Sequence, residues 1–497
     1  MLTQGVTGIM TIVGLLLMTR YLGAEQYGTL AWTLAFLATF NSIADLGFGS
    51  AHVKRVSEGY DLNACVSTFA YVKGLLTIAM MLVVVLSVGV WSAVSEHPFS
   101  GSSIQIMLVL LVYQALGNLT TIATYTFNAR VQTAKSQLVF FCDPLVRLPL
   151  LIFVLTNGMG TSTVVFAYLA GGIGAISVAI FQISRERIVW QKPKLIHTYA
   201  KWAIPIISVI VADAILGPLP TTTIGFFWPK SDVAYYSSSL ILLSSLGLLG
   251  SSVMVLLFPT FSKLSHEGRL SEIVTTSRES DRYLSLVSLP IVTTIVVFPS
   301  QISVIMFGDA FTSAGKVLPY LAVATYIGLL NLTVSAQVLG MNRLDLYVKW
   351  TYLNLTLGAV LLLILVPSSV LGIHTLGLSY RGAAIASVIS AFVGYGIARW
   401  LTFILTKAKP NPSILKHVIA AALIALFMYY ASTVFPMNHW YEAAVYLLIS
   451  LGGFLSILYF LKEFAARDVR FLLDTLNIKK LGHYVREELS ARDKEQP

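Results

Sequence analysis

Arg147 is the residue of this sequence best suited to hold an anion. It stands inside the apolar stretch Leu138–Leu155, between Pro144 and Pro149, with Asp143 four residues before it. A guanidinium stays charged at any pH and matches phosphate oxygens two at a time. Prolines in an apolar helix bend it and free backbone carbonyls. Asp143 offers a second reading, an i, i+4 ion pair on one helix face, and the two combine if an incoming anion displaces the carboxylate. Lys73 is a second cation in an apolar run, although Gly74–Val94 alone is long enough to cross a bilayer, so the ammonium can instead reach an interface. Arg20 ends the first apolar run, where it can steer an anion or simply sit at the interface. Two carboxylates suit a different task. Asp213 lies ahead of Pro218 and Pro220, and Asp45 lies near Lys54 and Arg55. A carboxylate in a broken membrane helix can carry H+ or Na+. It can equally pair with a basic residue, Lys54 or Arg55 in the case of Asp45. The embedded amides Gln114, Asn118, Asn128, Asn331, Gln337 and Asn354 can bond hydroxyl-rich ligands or join helices.

None of these groups forms catalytic machinery. Cys65 and Cys142 each stand alone without CxxC spacing, and the eight histidines make no HExxH pair, so neither a disulfide framework nor a metal centre is expected. Gly315-Lys316 lacks the earlier glycine of a phosphate-binding loop, and Gly47-Phe48-Gly49 lacks the third glycine of a dinucleotide fingerprint. The chain reads as a non-enzyme without a resident cofactor, apart from H+ or Na+ used for coupling. A net charge of +10 suggests nucleic acid until the charges are located. They sit in short loops and the tail, the positions of topology charge and anionic-lipid contact, so nucleic acid is excluded and membrane lipids are the expected surroundings.

The elements that carry these residues are membrane spans. The chain is 56% hydrophobic and 11% charged, with mean hydropathy +0.78. Fourteen apolar runs lie near residues 2–19, 29–51, 66–94, 104–127, 138–156, 162–183, 203–227, 233–258, 284–307, 317–340, 350–371, 382–405, 413–435 and 441–461. Most reach the roughly 20 residues that cross about 30 Å of hydrocarbon. With the start placed in the cytoplasm, the loops, flanking span ends and tail on that side collect 27 of the 33 basic residues. The other side holds only Arg20, Lys230, Lys316 and Arg381. Cytoplasmic loops carry such an excess, and one wrong span would invert every loop beyond it. The sequence predicts an all-α polytopic protein of 14 transmembrane helices with both termini cytoplasmic. The first run has no basic segment before it and no A-x-A site after it, which argues against a cleaved signal peptide.

Six spans fill residues 1–184 and six more fill 203–406, separated by the basic linker 185–202. Two further helices occupy 407–462, before a charged tail, 463–497. The halves repeat weakly. Tyr27-Gly28 leads to Ser57-Glu58-Gly59 in the first, and Tyr236-Ser237 leads to Ser265-His266-Glu267-Gly268 in the second. Six is even, so both halves enter from one side and form a parallel pseudo-repeat of two lobes with a cavity between them.

Several segments resemble a known family. Arg20-Tyr21-Leu22-Gly23-Ala24-Glu25-Gln26-Tyr27-Gly28 resembles the R-x-L-G-x-x-x-Y-G segment of polysaccharide flippases, and Ala44-Asp45-Leu46-Gly47-Phe48 resembles their A-D-L-G turn. Phe258-Pro259-Thr260-Phe261-Ser262-Lys263-Leu264, Phe307-Gly308-Asp309-Ala310-Phe311 with Ala314, Gln337–Arg343 and Gly382–Ala386 continue the likeness in the family's order. The chain is similar to Wzx-like O-antigen and oligosaccharide flippases of the multidrug/oligosaccharidyl-lipid/polysaccharide exporter superfamily. That resemblance implies movement of a polyprenyl-(pyro)phosphate-linked oligosaccharide to the outer leaflet of a cell membrane by alternating access. Glycan polymerase or assembly proteins become expected partners of a monomeric carrier. Arg147, Lys73, Arg20, Asn118 and Asn331 then become substrate-contact candidates, and Asp213 and Asp45 ion-coupling candidates. The alternatives are a cation-coupled multidrug exporter, which should have twelve helices and a more acidic cavity, a lipid II flippase, which should carry more arginines on helices one, two and eight than Arg20 alone, and a membrane polymerase or glycosyltransferase, which should show a large outer loop or a D-x-D site.

Overall fold

A computed structural model describes residues 2–94, 101–408, 411–464 and 468 of the chain. Backbone amides in hydrocarbon must find partners within their own segment, so long apolar runs become helices. The described residues form α1 (Leu2–Phe40), α2 (Phe48–Ser57), α3 (Leu62–Val94), α4 (Gly101–Ala129), α5 (Thr133–Thr156), α6 (Thr161–Arg185), α7 (Ile196–Leu216) and α8 (Leu219–Phe227). They continue as α9 (Lys230–His266), α10 (Leu270–Val297), α11 (Pro299–Phe307), α12 (Leu318–Gly340), α13 (Leu344–Leu365), α14 (Ser379–Thr406), α15 (Pro412–Val434) and α16 (Trp440–Phe460). Two 3-10 segments, Asn41–Ala44 and Asp309–Lys316, and a two-residue hairpin pairing Ser369 with His374 complete the described structure. Eleven of the described helices are long and apolar enough to cross a membrane. The chain is a nearly all-helical, multi-pass membrane protein.

Punctuation comes from glycine and proline. At about 1.5 Å per residue the 39-residue α1 would be nearly twice the hydrocarbon thickness. It is broken at Gly23, whose φ of 72° and ψ of 178° lie in a region only glycine enters readily. Gly308 holds the same backbone conformation (φ 92°, ψ 170°) between α11 and the following 3-10 segment. The apolar run 284–307 does not form one helix. α10 starts earlier, at Leu270, and ends at Val297, because Pro299 pushes Phe298 out of the helical region (φ −120°, ψ 47°).

The two segments matched as a repeat end identically. Glu58, Gly59 and Tyr60 donate their N–H groups to the carbonyls of Lys54, Val56 and Arg55. Glu267, Gly268 and Arg269 donate to those of Lys263, Ser265 and Leu264, the same offsets in both. Each glycine is left-handed, φ 84° and 71°, as this helix ending requires.

Packing divides the chain into two compact units. One comprises Met1–Ser277 with Phe298–Ala408, and the other Arg278–Val297 with Lys409–Pro497. In the first, α1 lies along α9 and α5, α6 fills the angle between α4 and α5, and α12 lies against α9 and α14. In the second, Ser450 Oγ donates to the Pro290 carbonyl (2.9 Å) inside that unit's helices. There Arg282 grips Asp468 (2.7 Å) and Glu463 (3.1 Å), and Lys416 also reaches Glu463 (2.9 Å). Of the tail 463–497, only Glu463, Phe464 and Asp468 are among the described residues.

Candidate functional site

Arg147 and Asp143 meet on one face of α5, and two tyrosines from neighbouring helices complete the group. The direct ion pair is long, 3.5 Å from Nη2 to Asp143 Oδ2. Tyr113 of α4 bridges it: its hydroxyl accepts from Arg147 Nη1 (3.2 Å) and donates to Asp143 Oδ2 (3.0 Å). Tyr168 of α6 places its ring 4.6 Å from the guanidinium carbon and stands edge-on to Tyr113 at 5.5 Å, a cation–π arrangement that favours the charged group away from water. Glycine lets α6 come this close. A Cβ on Gly171 would lie 2.2 Å from Asp143 Oδ1. The group opens onto a cavity of about 240 Å3 walled by Leu15, Met18, Leu34, Leu151 and Ile241. Only one hydrogen bond uses Arg147's five N–H donors among the described residues. The arrangement can therefore receive an anion beside a cation that is neutralised loosely. Sequence reading found the Arg147–Asp143 pair by its i, i+4 spacing. It missed Tyr113, Tyr168 and Gly171, which lie on the preceding and following helices at no local spacing from the pair and whose residue types are common in any span.

The other expected site residues are placed differently. Lys73 does not reach an interface; it is 1% exposed and bonds Asp45 Oδ1 at 3.1 Å. Asp45 accordingly pairs with neither Lys54 nor Arg55, which both turn to Glu58. Asn118 donates to Asn41 Oδ1 (2.6 Å) and to the Gln114 carbonyl (3.2 Å), joining α4 to the 3-10 segment. Asn331 Oδ1 is buried with no hydrogen-bond partner among the described residues. The Asp213 side chain lies outside the described residues. A 170 Å3 cavity between α13 and α14 is lined by Asn354 and Ser390, whose side-chain oxygens also lack partners among the described residues.

Arg20 takes part in a close contact between the arms of α1 and later elements. Its guanidinium donates to the carbonyls of Met306 (3.3 Å) and Ile305 at the end of α11, where cations suit the helix terminus. Beyond the Gly23 break, Glu25 accepts from the Ser231 N–H at the start of α9 (3.0 Å). Gly28 lies so close to α9 that a Cβ there would fall 1.7 Å from the Lys230 carbonyl oxygen. Trp32 donates to the Thr222 carbonyl (3.2 Å), and Lys230 Nζ sits 3.7 Å from its ring centroid.

The sequence pattern of the polysaccharide biosynthesis protein family matches residues 17–316. The chain belongs to that family. Among curated relatives of this polysaccharide biosynthesis protein is a probable low-salt glycan biosynthesis flippase, Agl15, of Haloferax volcanii. It is 22% identical over 380 residues, 76% of each chain. Among solved structures the fold is similar to the lipid II flippase MurJ in an inward closed conformation (TM-score 0.74, 15% identity, 93% of this chain and 98% of that one). It is also similar to an inward-facing multidrug resistance MATE family transporter of the MOP superfamily (TM-score 0.64, 14% identity, 81% and 96%). The chain thus has the MurJ- and MATE-like fold of that superfamily.

Proposed function

We propose that this polysaccharide biosynthesis protein is a flippase that carries a polyprenyl-(pyro)phosphate-linked oligosaccharide across a cell membrane, with Arg147 contacting the linker phosphate. The observation that carries the proposal is the Arg147 group itself: a cation loosely paired at 3.5 Å, bridged by Tyr113 and facing a cavity. The glycan flippase Agl15 and the flippase MurJ, similar in sequence and fold respectively, favour the same activity. A multidrug exporter would be expected to show a more acidic cavity than one built around an arginine.

The transport cycle belongs to the same proposal. Fourteen spans result if the two arms of α1 cross separately and α7 and α9 also cross, in addition to the ten remaining candidate helices. Both termini then lie in the cytoplasm. The matched helix endings at Gly59 and Gly268 favour two six-helix lobes, which alternate access by separating and closing the contact between α1 and α9. Asp213 is the candidate coupling carboxylate. Replacement by Asn should leave the protein inserted and abolish any response of transport to an H+ or Na+ gradient; an unchanged gradient response would leave Asp213 a structural residue.

Arg147 is tested by three variants. Arg147→Ala should stop glycan export, and Arg147→Lys should restore only part of it, because a point charge cannot reproduce the planar fork. Removing one partner of a buried pair costs about 3–5 kcal/mol, whereas removing both can be close to neutral. If Arg147 merely neutralises Asp143, Arg147→Ala with Asp143→Ala would regain activity. Surface glycan and protein level, measured together, separate the readings, and a fully active double variant would overturn the phosphate contact.

A further inference from the structure

A groove of about 550 Å3 that Arg147 does not line lies between α4 and α6. Leu119, Ile122, Ile176, Ile180 and Ile183 line it, and the segment after α6 closes one end with Ile188 and Trp190. That segment carries no helix or strand, yet it is held. Val189 N–H donates to Asn63 Oδ1 (3.0 Å), Gln191 N–H to Ser67 Oγ (3.0 Å) and Leu195 N–H to Thr68 Oγ1 (3.4 Å), so side chains of α3 fix its backbone. Ile188 and Trp190 consequently face the groove from a fixed support.

Charge is concentrated at the same end. Arg187 lines the groove mouth. It is exposed, its backbone N–H donates to the Ser184 carbonyl (3.3 Å), and its guanidinium has no hydrogen bond or ion pair among the described residues. Its neighbour Glu186 cannot neutralise it, because that carboxylate bonds both Arg130 and Lys135. Arg185 is turned onto the Phe181 ring at 4.4 Å and has no acidic partner among the described residues. The mouth therefore presents a free guanidinium within a cluster of four cations and one carboxylate. Beside it stands the exposed indole of Trp190, a residue type favoured where hydrocarbon meets headgroups.

We propose that this groove binds one anionic glycerophospholipid, its acyl chain between α4 and α6 and its phosphate on Arg187. Apolar walls take the chain, and basic pockets between membrane helices take phosphate-bearing headgroups. A zwitterionic lipid fills the walls equally well but gains less at the mouth.

Native mass spectrometry of the full chain in detergent tests this, with palmitoyl-oleoyl phosphatidylglycerol and the phosphatidylcholine of the same chains as probes. One phosphatidylglycerol should be retained in preference to phosphatidylcholine. Arg187→Ala should lower that preference about fivefold, the effect of one cation near a lipid phosphate. Leu119→Trp, which fills the groove, should lower retention of both lipids, and Lys316→Ala, an exposed cation elsewhere, should change nothing. Equal retention of the two lipids, an Arg187→Ala protein that behaves like the parent, or an equal loss in Lys316→Ala would overturn the site. Displacement of phosphatidylglycerol by a polyprenyl phosphate, together with lost glycan export in Arg187→Ala, would also overturn it, since the groove would then serve the transported lipid.

Discussion

Asp143 keeps one oxygen hydrogen-bonded to Tyr113 and the other, Oδ1, buried without a partner among the described residues. A buried unsatisfied acceptor costs on the order of 1–3 kcal/mol, and the site tolerates it where α6 presents Gly171 instead of a side chain. The pair's spacing was legible in the sequence because four residues along a helix is a local relation. Lys73 and Asp45 were legible only as charges, since their partnership spans a chain reversal of 28 residues that no helical period encodes. Outside the spans, Glu186 allows a pH prediction. Burial alone would raise its carboxyl, but the hydrogen bonds and charges of Lys135 and Arg130 outweigh burial and hold it below its ordinary value. A carboxylate depressed by folding stabilises the fold above its unfolded pKa, about 4.3, and the contribution is lost as pH falls through the lower folded value. Melting of the parent should therefore decline more steeply below about pH 4.3 than that of Glu186→Gln. Parallel curves in that acid range would remove the ion cluster from the stability of this region.

Helices, unlike their contacts, were largely predictable from apolar runs. The exceptions are instructive. Residues 284–307 read as one run because Pro299 is only one apolar residue among many, yet its missing N–H ends α10 and starts α11. α1 shows the reverse, one long helix whose two arms meet at Gly23. Gly28 ties the second arm to its neighbour. With a Cβ placed 1.7 Å from the Lys230 carbonyl oxygen, Gly28→Ala cannot keep α1 and α9 backbone to backbone. If that contact closes in every cycle, glycan export should fall at least about tenfold, the effect of roughly 1.4 kcal/mol, at unchanged protein level. A cysteine at Ser231 should also become more reactive. Parental export with a Ser231→Cys thiol as protected as before would show that the contact is not part of the cycle.

Over the whole chain, the alternation of basic loops carries more topological information than any single span, because each loop checks all those before it. Arg185–Lys201 is the decisive segment, since five of its residues are basic. A cysteine replacing Lys194 should be shielded from a membrane-impermeant maleimide in intact cells, whereas one replacing Asn438 should be labelled. Labelling at Lys194 from outside would defeat the fourteen-span arrangement with cytoplasmic termini. The family was legible from short glycine-centred segments spread along the chain; the Arg147 cavity was not, because its walls come from α1, α4, α5, α6 and α9.

Lys230 and Trp32 also supply an optical consequence. Indole emission shifts in the field of a nearby charge, and here an ammonium stands 3.7 Å from the ring centroid, on the far side of the gap that opens if α1 and α9 part. With the other seven tryptophans replaced by phenylalanine, Trp32 should report the state of that contact by its colour, without any attached dye. Lys230→Met should fix the emission at the open-state wavelength, and an identical spectrum in both proteins would show that the cation does not act on the ring.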